Sequence, residues 1–191
     1  HRVLLVDTDM RRPRIHKAFG IKRPLRGLST MILGQSTAAE SIHRTNVPNL
    51  DVLVCGPTPP NPSELLYTER FKLVIDQLST LYERIIFDSP PVGVVTDAAI
   101  LSRMVNGTVL VVKNARTTRD SAKYALNLLT DINALIYGAI LNDLDLSNRK
   151  YGQYYHHYAQ KYGTYYSDNQ TSPAGSDAEE SRDSVEPVKK G

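Results

Sequence analysis

Five short apolar runs rich in β-formers, Val3–Val6, Leu50–Val54, Arg84–Phe87, Thr108–Val112 and Tyr137–Leu141, recur along the chain with helix-compatible stretches between most of them. That alternation predicts an α/β, doubly wound and mostly parallel sheet covered by helices on both faces. The expected helices are Leu28–Leu33, Ser63–Leu81, Thr96–Ser102 and Arg119–Leu129; Thr96-Asp97 and Thr117-Thr118 stand where N-caps belong. Between Gly56 and Pro62 four prolines fall within six residues, which neither a helix nor a strand ladder tolerates. A rigid loop is expected there, with Ser63 capping the helix that follows.

At 191 residues with 41% hydrophobic content, the chain suits one ordinary core. We expect a folded region over residues 1–146, a tyrosine-rich segment over 147–166 and an acidic tail over 167–191. The tail is dominated by Ser, Asp, Glu, Asn, Pro and Gly, cannot bury enough surface to offset its ordering entropy, and is expected to be disordered. It carries six acids against three bases, leaving residues 1–166 with 14 acids against 20 bases. Arg11, Arg12, Arg14, Lys17, Lys22, Arg23 and Arg26 crowd one stretch; without an interleaved aromatic pattern they read as a solvated or phosphate-facing loop, and no nucleic-acid partner is expected. The single cysteine, Cys55, excludes a disulfide framework, favours a reducing compartment and reads as a small core residue. No apolar run approaches the roughly 20 residues that span a bilayer, so this stretch is expected to be soluble by itself.

Asp7 and Asp9 follow the first apolar run, and Asp88 ends the third. One such carboxylate is explained by a helix cap; three at the ends of two buried strands point to a magnesium-nucleotide site. In open α/β sheets ligands lie beyond the carboxyl ends of the strands, and Mg²⁺ takes one or two carboxylates plus substrate phosphates.

The motifs carry a resemblance. Val3-Leu-Leu-Val-Asp-Thr-Asp-Met-Arg11 resembles the Walker A′ motif of bacterial tyrosine kinases, and Ile85-Ile-Phe-Asp-Ser-Pro-Pro91 resembles their Walker B motif. The stretch Gly56 to Leu66 and Val95-Thr-Asp-Ala also match, so the likeness covers residues 1 to about 166 in the family's order. It implies the P-loop NTPase fold of the deviant-Walker ATPases that position septa and partition chromosomes. It also implies ATP and Mg²⁺ as cofactors, with Asp7 as the base toward a tyrosine hydroxyl and Asp9 and Asp88 serving Mg²⁺ and its waters. Asn142 stands where the superfamily contacts adenine, a position equally explained as a strand-end turn residue. Arg11 and Arg12 resemble the basic residues that follow Walker A′ in the family. The partners implied are further copies of the chain in a ring that phosphorylates in trans, a transmembrane polysaccharide co-polymerase or activator, fused or separate, and a tyrosine phosphatase. The location implied is the cytoplasmic face of the bacterial inner membrane, with capsule or exopolysaccharide export as the process served.

One part of the family pattern is absent: no Gly-x-x-x-x-Gly-Lys-Ser/Thr loop occurs, and none of the 11 glycines precedes a lysine. The expectation is a chain truncated upstream of His1, the other explanation being a degenerate relative without ATP binding. These residues alone are expected to be an inactive kinase with unpaired strand edges and poor solubility.

Seven of the 11 tyrosines, Tyr151, Tyr154, Tyr155, Tyr158, Tyr162, Tyr165 and Tyr166, lie in sixteen residues. Positions 151, 155, 158, 162 and 165 would form one helical stripe, but Gly152 and Gly163 and the scarcity of aliphatic residues weigh against a packed helix. The cluster reads better as phospho-acceptors: full modification would add roughly −10 to −14 charges. His156 and His157, without further ligands at suitable spacing, are not read as a metal site. The leading reading is an autophosphorylating protein-tyrosine kinase; the others are a non-kinase ATPase switch and an inactive scaffold.

Overall fold

A computed structural model describes residues 1–22 and 24–144. In chain order the elements are β1 (Val3–Asp7), α1 (Ile15–Ala18), α2 (Leu28–Ile32), α3 (Ala38–Ser41), β2 (Ile42–Arg44), β3 (Leu50–Leu53), α4 (Pro62–Leu66), α5 (Glu69–Leu81), β4 (Arg84–Asp88), α6 (Asp97–Ser102), β5 (Thr108–Lys113), α7 (Arg119–Asp131) and β6 (Ile136–Asn142). All five expected strands form. The tyrosine cluster and the acidic tail lie outside the described residues.

The strands make a four-stranded sheet in the order β2-β3-β1-β4 and a two-stranded sheet of β5 and β6. β1 pairs in parallel with both β3 and β4, β5 with β6 likewise, and β2 runs antiparallel to β3. Alternation along β1 divides the core between two faces. Leu4 and Val6 join Leu53, Phe71, Leu78 and Leu101 in the larger cluster, built by α2, α5 and α6. Leu5 packs toward the smaller one, where Ile15 of α1 meets Val52 and Val54.

Cover on both faces therefore holds at β1 and β3 but fails farther out. Ile86 of β4 is 55% exposed, Val111 of β5 60% and Ile140 of β6 55%. The sheet is interrupted: among the described residues β4 and the β5–β6 pair share no ladder, and each leaves an edge unpaired, as expected from the sequence.

Two local expectations are corrected. The helix expected over Ser63–Leu81 is two helices, because Thr68 takes an extended backbone (ψ 151°) and serves as N-cap of α5. Its hydroxyl donates to Leu65 O at 2.8 Å and accepts from Phe71 N–H at 3.2 Å, closing one helix and opening the next. Ser63 is not a cap either: Pro62 is the first residue of α4, and the Ser63 hydroxyl is turned to Asp97. Thr96 precedes α6 without a side-chain cap bond, whereas Thr118 caps α7 by accepting from Ser121 N–H at 3.1 Å.

The loop after β3 is tied to α2 through glycines. Leu28 N–H donates to Val54 O and Ser29 N–H to Cys55 O, each at 2.9 Å. A Cβ on Gly27 would collide with the backbone of Val54 and Gly56, and Gly56 itself has φ +80°, a conformation that glycine adopts at low cost.

Candidate active site

The ladder between β1 and β4 sets Asp7 opposite Asp88 at the carboxyl ends of both strands. Thr8 fastens this junction. Its N–H donates to Asp88 O at 2.9 Å, and its hydroxyl donates to the same oxygen. Asp9 then folds its side chain back on the turn, Oδ1 accepting from Arg11 N–H at 3.2 Å and from Arg12 N–H at 3.0 Å. Local bonds of this kind suit a short Asp side chain and hold the following backbone in place.

The three carboxylates differ in surroundings. Asp7 is 0% exposed, Asp9 half-buried and Asp88 exposed. Asp7 Oδ2 accepts from Ile15 N–H at 3.1 Å at the start of α1, while Oδ1 is buried with no partner. Burial pushes the Asp7 carboxyl above the ordinary carboxylate range, the Ile15 bond opposes this, and the charges of Asp88 and Asp9 add to the rise. Asp88 is likewise raised, first by the protein atoms that crowd its carboxyl although the residue meets solvent, and then by the charge of Asp9. Mutually repelling carboxylates with an orphaned buried oxygen are relieved by a proton or by a cation.

This donor set fits Mg²⁺: it offers only hard oxygens, and one of them, Asp7 Oδ1, lacks any protein partner. Among the described residues no group of three His, Cys, Asp or Glu side chains closes a metal cage. Mg²⁺ needs none, because it keeps several waters and takes its remaining ligands from phosphates.

Cys55, expected as a core residue, is 1% exposed, and its thiol is pushed up to about 12 by burial and then by Asp7 and Asp9. It is an inert neighbour of the site. Asn142 ends β6 opposite Lys113 on the second sheet. Its Oδ1 accepts from Asp143 N–H at 2.8 Å, Asp143 adopts φ +60°, and Lys113 Nζ stands 3.2 Å from Asp143. The structure thus brings Asp7, Asp9 and Asp88 together and places Asn142 in a strand-end turn. The candidate acceptors Tyr151 to Tyr166 lie outside the described residues.

Arg11 has a partner that its place in the sequence does not announce, and Ser63 and Asp97 join the site with it. Arg11 Nε donates to Asp97 Oδ2 at 2.8 Å, and Nη2 donates to Asp97 Oδ1 at 3.3 Å and to the Ser63 hydroxyl at 2.7 Å. Ser63 donates in turn to Asp97 Oδ1. The hints in the sequence are that Ser63 and Asp97 fall in the stretches Gly56 to Leu66 and Val95-Thr-Asp-Ala that resemble the family, and that an aspartate leads the apolar Ala98-Ala-Ile-Leu101, a place where a charge needs a partner once buried.

No family model matches the chain. Individual proteins do. The chain is 38% identical over 160 residues to the putative tyrosine-protein kinase CapB of Staphylococcus aureus, an alignment that takes in 84% of this chain and 69% of that one. It is 37% identical over 154 residues to the tyrosine-protein kinase YwqD of Bacillus subtilis strain 168, covering 80% of this chain and 65% of that one. Among solved structures, the chimerical protein CapA2B2 superposes with a TM-score of 0.72 at 38% identity, covering 75% of this chain and 63% of that one. The septum site-determining protein MinD of Pyrococcus horikoshii OT3, complexed with Mg-ADP, superposes at 0.58 over 73% of this chain and 57% of its own. At 20% identity that match speaks for the fold alone, which is the P-loop NTPase architecture expected from the motifs. The identity to CapB, spread over most of both chains, decides the family: this chain belongs to the bacterial tyrosine-protein kinases.

Proposed function

We propose that the protein carrying this chain transfers the γ-phosphoryl group of ATP to tyrosine hydroxyls, its own cluster among them. The observation that carries the reading is the convergence of Asp7, Asp9 and Asp88 at the carboxyl ends of β1 and β4, with Asp7 and Asp88 in register. Mg-ATP, when bound, supplies the phosphoryl group and neutralises charge as it is transferred. Asp9 and Asp88 hold Mg²⁺, directly or through water. Asp7 accepts the tyrosine proton; its raised affinity for protons, due first to burial and then to Asp88 and Asp9, suits a base better than an ordinary surface carboxylate. Asn142 contacts the adenine through the part of its amide that the Asp143 bond leaves over. The acceptors are Tyr151, Tyr154, Tyr155, Tyr158, Tyr162, Tyr165 and Tyr166.

In this reading the enzyme works at the cytoplasmic face of the bacterial inner membrane and regulates polysaccharide polymerisation and export. No helix among the described residues is long and apolar enough to cross a membrane. Attachment then comes from a transmembrane co-polymerase region, fused or separate. Copies of the chain act on each other in a ring, and a tyrosine phosphatase resets them.

The test is intact-mass spectrometry of the full-length protein incubated with Mg-ATP, beside Asp7→Asn. Phosphate-sized additions confined to residues 151–166 and lost in the variant support the reading. ATP turnover with no added mass makes the protein an ATPase switch, and no turnover at all makes it a scaffold.

A further inference from the structure

Three loops meet at the carboxyl end of the main sheet: the one after β1 carrying Asp9 and Arg11, the proline-rich one after β3 that leads to Ser63, and the one after β4 that leads from Asp88 to Asp97. They are joined at one place. The Arg11 guanidinium makes two bonds to the Asp97 carboxylate and one to the Ser63 hydroxyl, and the Asp97 side chain is 0% exposed. The same Arg11 donates its backbone N–H to Asp9. A closed circuit results. From Asp88 the chain runs through Ser89-Pro90-Pro91 to Asp97, crosses by the ion pair to Arg11, returns to Asp9 and Thr8, and closes through the Thr8 N–H on Asp88 O.

We propose that Asp97, with Arg11 and Ser63, is the positioning device of this site, fixing the separation of Asp9 and Asp88 so that both meet one divalent cation. The inference rests on the assignment of those two residues to Mg²⁺ above. Its physical basis is the number of independent bonds. Asp9 is a half-buried side chain on a turn, and without the anchored Arg11 only its own local bonds would hold it. Burial pushes the Asp97 carboxyl up, but the bonds from Arg11 and Ser63 outweigh it and hold the group below the usual carboxylate range, so the pair stays ionised. Arginine is required because its planar fork meets both carboxylate oxygens and reaches a third acceptor, which a lysine ammonium cannot do in the same geometry. Residues that orient metal ligands without touching the metal change affinity by about 10–100-fold when removed.

The test uses the full-length protein with Mn²⁺ as a paramagnetic probe, titrated by electron paramagnetic resonance in the presence of a non-hydrolysable ATP analogue. Asp97→Asn is expected to weaken Mn²⁺ binding by about 10–100-fold. Arg11→Lys should fall between it and the parent, and Ser63→Ala, which removes one bond of the knot, should lose about threefold. Affinity for the analogue measured without divalent cation should stay within twofold in all three, a split that general loss of structure would not produce. Unchanged Mn²⁺ affinity in these variants, or a parallel fall in metal-free nucleotide affinity, overturns the inference. If Asp97→Asn does not fold, Arg11→Lys and Ser63→Ala decide the matter by the same criteria. Failure of the parent protein to bind Mn²⁺ with the analogue would instead sink the metal assignment itself.

Discussion

Replacing Asp7 by asparagine should stabilise the nucleotide-free protein while abolishing tyrosine phosphorylation. The carboxylate is fully buried, one oxygen bonds Ile15 N–H at 3.1 Å, and the other has no partner and faces the field of Asp9 and Asp88. Asparagine keeps the volume and the acceptor toward Ile15, and puts a neutral NH₂, itself unpaired, where the orphaned charged oxygen stood. The gain at neutral pH is therefore the removal of a buried charge repelled by Asp88 and Asp9, about 1.4 kcal/mol for each unit by which the folded-state pKa is raised. For a chain of this size it corresponds to about 2–4 °C in melting temperature per kcal/mol. The pH dependence has a definite sign. Because the folded-state pKa is raised, the favourable protonated form is fully present below the ordinary carboxylate range and is lost as pH rises through the native value. Asparagine does not titrate, so its advantage over the parent is widest at neutral pH and closes as the solution is acidified through that window. Urea unfolding at a series of pH values, with the slopes compared to verify a common unfolded state, measures the difference directly. An Asp7→Asn protein less stable than its parent at neutral pH, or a difference independent of pH, would refute the reasoning.

Gly27→Ala should destabilise by about 3–5 kcal/mol, since the added methyl meets backbone and must break the bonds from Leu28 and Ser29 to the end of β3; chemical unfolding measures it, and a loss below 1 kcal/mol would show that the contact is soft. Cys55, 1% exposed with its thiol pushed up to about 12, should resist a thiol reagent in the folded protein and react at once in denaturant. Rapid labelling under native conditions would contradict the packing of β3.

Much of this architecture is visible in residue order. Strands of a parallel sheet carry apolar runs, so β1, β3 and β4 announce themselves, although β4 is largely exposed, and so do the aspartates that end β1 and β4. The three-residue β2 was missed because His43 and Arg44 lack the pattern; its place is fixed by antiparallel pairing with β3 and not by local preference. The break at Thr68 was missed because apolar spacing continues through it, while a hydroxyl competing for backbone groups decides the outcome. Asp97 was legible as a helix-initiating residue and as part of the Val95-Thr-Asp-Ala stretch, but not as the partner of Arg11. Its partner lies 86 positions earlier in the chain, and no local pattern connects two such positions.

The clasp between Thr8 and Asp88 makes the peptide ladder a caliper. Neighbouring strands sit about 4.8 Å apart whatever side chains they bear, so the gauge between positions 7 and 88 is built into backbone geometry. Asp→Glu at either position advances one carboxylate by a methylene while the jaws stay put. A pair of such variants would read out, one carbon at a time, the reach that each proposed role requires, proton acceptor at Asp7 and cation ligand at Asp88.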